Sequence, residues 1–124
     1  MIYLASPYTH PEMVVMLRRY REICRIAADV MMGGKIVFCP IAMTHPMAVY
    51  GELSGKWDFW RDFDTAFLEK CDELWVTMMD GWRESTGVTA EIAIMHSLVK
   101  PVRYLDPLTL QVHFYPCKQI PIPK

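Results

Sequence analysis

Apolar residues recur in two rhythms along this chain, and the alternation between them predicts the fold. Met1–Ala5 is a short apolar run that stops at Ser6-Pro7, which reads as a buried strand. Pro11-Glu12 then looks like a helix start, with proline near the first turn. Met13, Met16, Leu17, Tyr20, Ile23, Cys24, Ala27, Val30 and Met31 follow at helical spacing, until Gly33-Gly34 ends the run. Ile36–Cys39 reads as a second strand, stopped by Pro40. Residues 40–56 carry Pro40, Pro46, Gly51 and Gly55 and are expected to form a long loop with at most a short helix. Trp57–Cys71 predicts a second helix rich in aromatic residues, Glu73–Met78 a third strand, Val88–Val99 a third helix and Val102–Leu105 a fourth strand. The tail, Asp106–Lys124, holds four prolines and little periodicity. Its Leu110, Val112, Phe114 and Tyr115 are open to packing on the core, to an edge strand or to contact with another subunit.

Strands alternating with helices imply an α/β fold: one doubly wound, flavodoxin- or Rossmann-like domain over residues 1–124. We expect a parallel sheet of four or five strands in the order 2-1-3-4, with helices on both faces. In such sheets ligands bind at the carboxyl ends of the strands. Three segments reach that edge: Ser6–Pro11, Pro40–Lys56 and Asp80–Gly87.

Composition narrows the function. With 124 residues, 52% of them hydrophobic, the chain can build a sizeable core. Its apolar runs are too short to span a bilayer, and its first residues lack the pattern of a signal peptide, so no membrane partner and a cytoplasmic location are expected. The net charge of −1 gives no footprint for a polynucleotide. Cys24, Cys39, Cys71 and Cys117 are widely spaced and are expected to be reduced, mostly buried thiols. His10, His45, His96 and His113 are equally scattered, so no metal site is expected. Neither a dinucleotide-binding G-x-G-x-x-G loop nor a P-loop is present.

Glu91 is the leading candidate for chemistry. On a helical repeat its neighbours are Val88, Ile94, Met95 and Leu98, which place a carboxylate on an apolar face. A capping-box glutamate would need Ser or Thr three residues earlier, and Val88 stands there. Buried carboxylates without such a role cluster at working sites. Asp64 is a second carboxylate on a mostly apolar face, with Trp60, Phe67 and Leu68 around it; it either faces a ligand or pairs with Arg61, while Asp62 is expected to be solvated. Ser85, Thr86 and Gly87 open the third helix, where free amides and hydroxyls can hold an anion or simply cap the helix. Ser6 and Tyr8 lie in the loop after the first strand and either face the site or form a polar turn. Trp57 and Trp60 can stack on a base or belong to the core; Phe63 and Phe67 are expected in the core. Arg18, Arg19, Arg21 and Arg25 are read as a solvated helix face.

Several short segments, taken in order, carry a resemblance. They are Ile2-Tyr3-Leu4-Ala5, Asp64 eight residues before Asp72, Cys71-Asp72-Glu73-Leu74, Gly87-Val88-Thr89-Ala90-Glu91 and Val99-Lys100-Pro101-Val102. Over roughly residues 1–105 the chain resembles the nucleoside 2-deoxyribosyltransferase superfamily, and within it small bacterial and phage proteins of undefined function that begin with a similar Ala-Ser-Pro-Tyr segment. The resemblance implies cleavage of the N-glycosidic bond of a deoxynucleoside, with Glu91 catalytic, Tyr3 hydrogen-bonded to it and Asp64 contacting the base. Transferases of that superfamily carry aspartate six residues before the glutamate; this chain has Ser85, as do the related deoxynucleoside 5′-monophosphate N-hydrolases. The resemblance therefore implies a small-molecule nucleoside or nucleotide as partner, with a preference for 5′-monophosphates; the high apolar content of a short chain, the aromatic 57–67 segment and the apolar tail lead us to expect a homo-oligomer, dimer or larger. That chemistry needs no metal or organic cofactor. The alternatives are a nucleotide-sensing domain without turnover and a glycosidase acting on NAD or a ribonucleotide.

Overall fold

Ile2–Ala5 forms the central strand β1 of a five-stranded sheet. Val37–Phe38 (β2) pairs with it in parallel on one side and Glu73–Thr77 (β3) on the other. Val102–Leu105 (β4) continues the parallel set beside β3. The order is therefore 2-1-3-4, as the alternation of elements predicts, and Val112–His113 (β5) adds an antiparallel edge next to β4. Of the readings open for the tail, the edge strand is the one adopted by Val112. These relations come from a computed structural model that describes residues 1–53 and 57–116. Cys117, the end of the 106–124 tail and the last three residues of the expected 40–56 loop lie outside the described residues.

Side chains alternate across the strands, as the period of two requires. Tyr3, Ala5, Leu74 and Val76 face one side, where they meet Leu68, Val88 and Met95. Those partners belong to helices α3 (Trp57–Lys70) and α4 (Thr86–Ser97). Ile2, Leu4 and Trp75 face the other side, against Ile23, Ile26, Ala27 and Val30 of helix α1 (Met13–Met32). Helices thus cover both faces. The chain winds outward from β1 to β2, then returns to lay β3 on the opposite side, so a topological switch point falls between β1 and β3.

One expectation is corrected. Residues Pro40–Gly51, expected mostly as loop, form helix α2 of twelve residues. Pro40 occupies its first turn, where a missing N–H costs little. Pro46 sits inside it and removes one backbone bond. Apolar residues are distributed all round α2, so no one-sided stripe marks it as a helix. Thr44, buried, donates its hydroxyl to the Pro40 carbonyl at 2.8 Å and ties the first turn together. The helix ends at Glu52, which adopts a left-handed conformation with φ 55°.

Phe67 packs partly buried against the core and stacks on Phe38 with ring centroids 4.0 Å apart. Phe63, expected in the core, is only half-buried and leans on Phe67. In α3 Leu68 alone is fully buried, so most of this aromatic helix is half-buried or exposed.

Candidate functional site

A cavity of about 530 Å³ opens at the carboxyl ends of β1 and β3, over the switch point. Four segments build its walls. The loop after β1 supplies Ser6 and Tyr8; α2 supplies Ile41 and Val49; α3 supplies Trp57, Trp60 and Asp64; and the start of α4 supplies Ser85, Thr86, Gly87 and Glu91. The structure thus brings together nine of the residues singled out in the sequence, drawn from positions 6 to 91. Tyr3, the tenth, is fully buried beneath them.

Glu91 is 6% exposed and stands among Val88, Met95 and the partly buried Ile94 and Leu98, as its helical spacing implies. Burial, with the negative charge of Asp64 nearby, pushes its pKa up to about 8; the Tyr3 hydroxyl opposes this. Asp64 is also pushed up, to about 6, chiefly by burial and again against the influence of Tyr3. The alternative pairing of Asp64 with Arg61 does not form: Arg61 reaches Asp58 instead, at 4.0 Å, and Asp62 is exposed as expected.

The Tyr3 hydroxyl lies close enough to both carboxylates to influence each, and their charges help raise its own pKa. It nevertheless forms no well-directed hydrogen bond among the described residues. The direct Tyr3–Glu91 bond implied by the resemblance is therefore not formed with hydrogen-bond geometry; catalytic contacts often tighten only when ligand binds. Ser6 Oγ is likewise buried without a partner among the described residues, although Ser6 lines the cavity. Buried polar groups are seldom left unpaired, so the Ser6 hydroxyl in the cavity wall is available to a ligand, while the Tyr3 hydroxyl below it stays with the two carboxylates.

Ser85 is the N-cap of α4, and its Oγ accepts the Val88 N–H at 3.2 Å. The capping role is thus real, while Ser85, Thr86 and Gly87 all line the cavity. Glu84, not singled out in the sequence, adds a third carboxylate to the lining.

Two further residues escaped sequence reading. Arg19, assigned to a solvated face, instead ties two loops together. Its Nη1 donates to the carbonyls of Tyr8 and Thr9 at 3.4 and 3.0 Å, and its Nη2 to that of Asp80 at 3.5 Å. Gly81 next to it has φ 89°, and a Cβ there would collide with the guanidinium. His45 of α2 bonds the Tyr8 hydroxyl through Nδ1 at 2.5 Å and stacks on Tyr20 with ring centroids 4.0 Å apart. No local pattern signals either residue, because the partners lie ten or more positions away in the sequence.

Fold and site together define a doubly wound α/β protein whose cavity carries buried Glu91 and half-buried Asp64. A protein-family profile described as a domain of unknown function, DUF1937, matches residues 1–106, and the chain belongs to that family. No curated protein matches it. Among the described residues, no helix is long and apolar enough to cross a membrane. Cys24, Cys39 and Cys71 are free thiols, two of them buried.

Proposed function

We propose that the protein cleaves the N-glycosidic bond of a 2′-deoxynucleoside or its 5′-monophosphate, by hydrolysis or by transfer to a second base. The observation that carries this reading is the pairing of buried Glu91 with Asp64 in a cavity walled by two indoles. Breaking such a bond builds positive charge at C1′ of the sugar. A carboxylate beneath that carbon stabilises the charge, or attacks to form a glycosyl-enzyme that water or a second base resolves. Glu91 takes that part, steadied by Tyr3. Asp64, carrying a proton, donates it to the departing base nitrogen. Trp57 and Trp60 provide flat apolar surfaces for the base. Ser6 and the start of α4 hold the sugar end.

The two raised pKa values suit this division. Between about 6 and about 8 the pair holds one proton, which is the complement the mechanism needs. With no charge on the sugar that proton favours Glu91, whose pKa is the higher of the two. Positive charge developing on the sugar favours ionised Glu91 and leaves the proton on Asp64. We also propose that the protein works as a homo-oligomer in the cytoplasm; exposed Phe59, Phe114 and Tyr115 supply apolar surface for subunit contact.

The test is to incubate the protein with deoxynucleosides, their 5′-monophosphates, ribonucleotides and NAD and to follow free base by chromatography. Base released from deoxy substrates supports the proposal. Release from NAD or ribonucleotides alone moves the reading to another glycosidase. Tight binding without release makes the protein a nucleotide sensor.

A further inference from the structure

Tyr8 lines the cavity, whereas His45 stands behind it on α2 and takes no part in the lining. The Tyr8 hydroxyl and His45 Nδ1 are 2.5 Å apart, so one hydrogen bond joins them. A phenol O–H is a better donor than an imidazole N–H, and an unprotonated imidazole nitrogen is a better acceptor than a phenol oxygen. The favoured arrangement therefore places the shared proton on Tyr8, pointing at Nδ1. Tyr20 stacks flat against the imidazole and Tyr8 meets it edge-on, so the ring is held at this angle from two sides. Burial lowers the His45 pKa, which keeps Nδ1 an acceptor at neutral pH.

A tyrosine hydroxyl has one proton to give. Once that proton is committed to His45, only lone pairs remain for whatever occupies the cavity. We propose that His45 is a positioning residue that makes Tyr8 an obligate acceptor, so that the ligand group meeting Tyr8 is a hydrogen-bond donor, a sugar hydroxyl rather than a phosphate. This inference rests on the glycosidic reading and, with Tyr8 beside Ser6 and the start of α4 at the 5′ end of the sugar, narrows its substrate to the free nucleoside, whose 5′-hydroxyl is the donor a monophosphate lacks. Glu84 in the same lining argues in the same direction, since a carboxylate also only accepts and repels a dianion. The amides of Thr86 and Gly87 do not contradict it, because a hydroxyl can accept from them while donating to Tyr8. A phosphate dianion can do only the first. The structure thus weighs against the monophosphate preference that Ser85 suggests by resemblance.

The experiment measures binding of each common deoxynucleoside and its 5′-monophosphate by quenching of tryptophan fluorescence, with Trp57 and Trp60 as reporters in the lining. Wild type, His45→Phe and Tyr8→Phe are compared after circular dichroism confirms folding. At about pH 7.5 the wild-type protein should bind the nucleoside at least about tenfold more tightly than its monophosphate. His45→Phe preserves a ring against Tyr20 but frees the Tyr8 proton to meet a phosphate, so the ratio should fall about tenfold. Tyr8→Phe should lower the ratio by weakening the nucleoside.

Acidification supplies a readout that a merely structural histidine would not produce. As His45 gains a proton, Nδ1 becomes a donor and Tyr8 must turn its own proton to the cavity. The wild-type ratio should fall between about pH 7.5 and 5.5, by more than it falls in His45→Phe. The other ionisable groups around this site are Asp64, Glu84, Glu91, Tyr8 itself, Tyr20, the adjoining Cys24 and Arg19, which bonds the Tyr8 carbonyl, and all of them persist in that variant. A wild-type preference for the monophosphate, or a ratio that His45→Phe and Tyr8→Phe both leave unmoved, overturns the inference while the glycosidic reading stands. If neither ligand class binds the wild type, both fall. Should His45→Phe fail to fold, Tyr8→Phe and the wild-type pH series decide the matter.

Discussion

Asp64, carried by α3, adds its negative charge to the burial that strengthens the hold of Glu91 on its proton, and the pKa values of the two stand apart at about 6 and about 8. Base release should therefore follow a bell-shaped pH profile, rising through about 6 and falling through about 8. Asp64→Asn removes the nearby charge and the acid at once. In that variant the alkaline fall should vanish, and the rate, lowered overall, should rise to a plateau with a midpoint below the wild-type value of about 8. A profile in Asp64→Asn that keeps both limbs would remove Asp64 from the proton chemistry.

Glu91→Gln should fold yet lose base release by at least about a hundredfold, equivalent to a few kcal/mol of transition-state stabilisation. The amide keeps the shape of the side chain but can neither carry the negative charge nor attack C1′. Retention of activity would transfer the chemistry to Asp64 or elsewhere.

The same substitution should alter stability in the opposite direction. The folded protein raises the Glu91 pKa from 4.5 to about 8, because it disfavours the buried charge. The stability linked to this group is fully present below about 4.5 and is lost as pH rises through about 8. Wild type should thus lose stability over that window while Glu91→Gln does not. Since one pKa unit corresponds to about 1.4 kcal/mol, the gap should reach a few kcal/mol in mildly alkaline solution. Urea unfolding of both proteins at three pH values checks this, and a constant gap would mean that Glu91 is not buried as a charge.

Glu91 was legible in the sequence because two local facts suffice: a carboxylate at the spacing of Val88, Met95 and Leu98, and a valine where a capping partner would stand. Strands β1 and β4 were legible because each is an apolar run bounded by proline, at Pro7 and at Pro101. Helix α2 was not, since Pro40 and Pro46 read as breaks and its apolar residues form no stripe. Arg19 and His45 were hidden for another reason. Both reach the loop around Tyr8, from 11 and 37 residues away, Arg19 also reaches Asp80, and Arg19 bonds only carbonyls, which every residue possesses. Tertiary contacts of that kind leave no periodicity to read.

Lys100 illustrates the same point in a structural role. It follows α4, yet its ammonium donates to the carbonyls of Leu68, Glu69 and Cys71 at 3.3, 2.6 and 2.8 Å and so closes the end of α3. Helix carbonyls at this end lack intrahelical partners and carry partial negative charge. Lys100→Met should preserve the aliphatic stem and lose the cap, lowering stability by about 1–3 kcal/mol in urea unfolding. Because α3 also bears Asp64, Trp57 and Trp60, ligand affinity should fall in the same variant. An unchanged midpoint would show that water satisfies these carbonyls equally well.

Helix α3 also motivates a prediction about assembly. It carries five aromatic residues in its fourteen, but buries only Leu68 fully, and Phe59 is 51% exposed. The neighbouring α2 adds Met43, Met47 and Tyr50, the last 89% exposed. Scattered exposed apolar residues are ordinary, but this many on two short helices are costly to leave in water. A second copy of the chain would cover them, and closed symmetric assemblies are the usual outcome. Light scattering at micromolar concentration should give a mass of at least two chains. Phe59→Glu, which places a charge in that surface without touching the sheet, should shift the population toward the monomer. It should also weaken base release if the neighbouring copy helps to hold α2 and α3 around the ligand. A wild-type protein that stays strictly monomeric would mean that this aromatic surface serves the ligand or solvent alone.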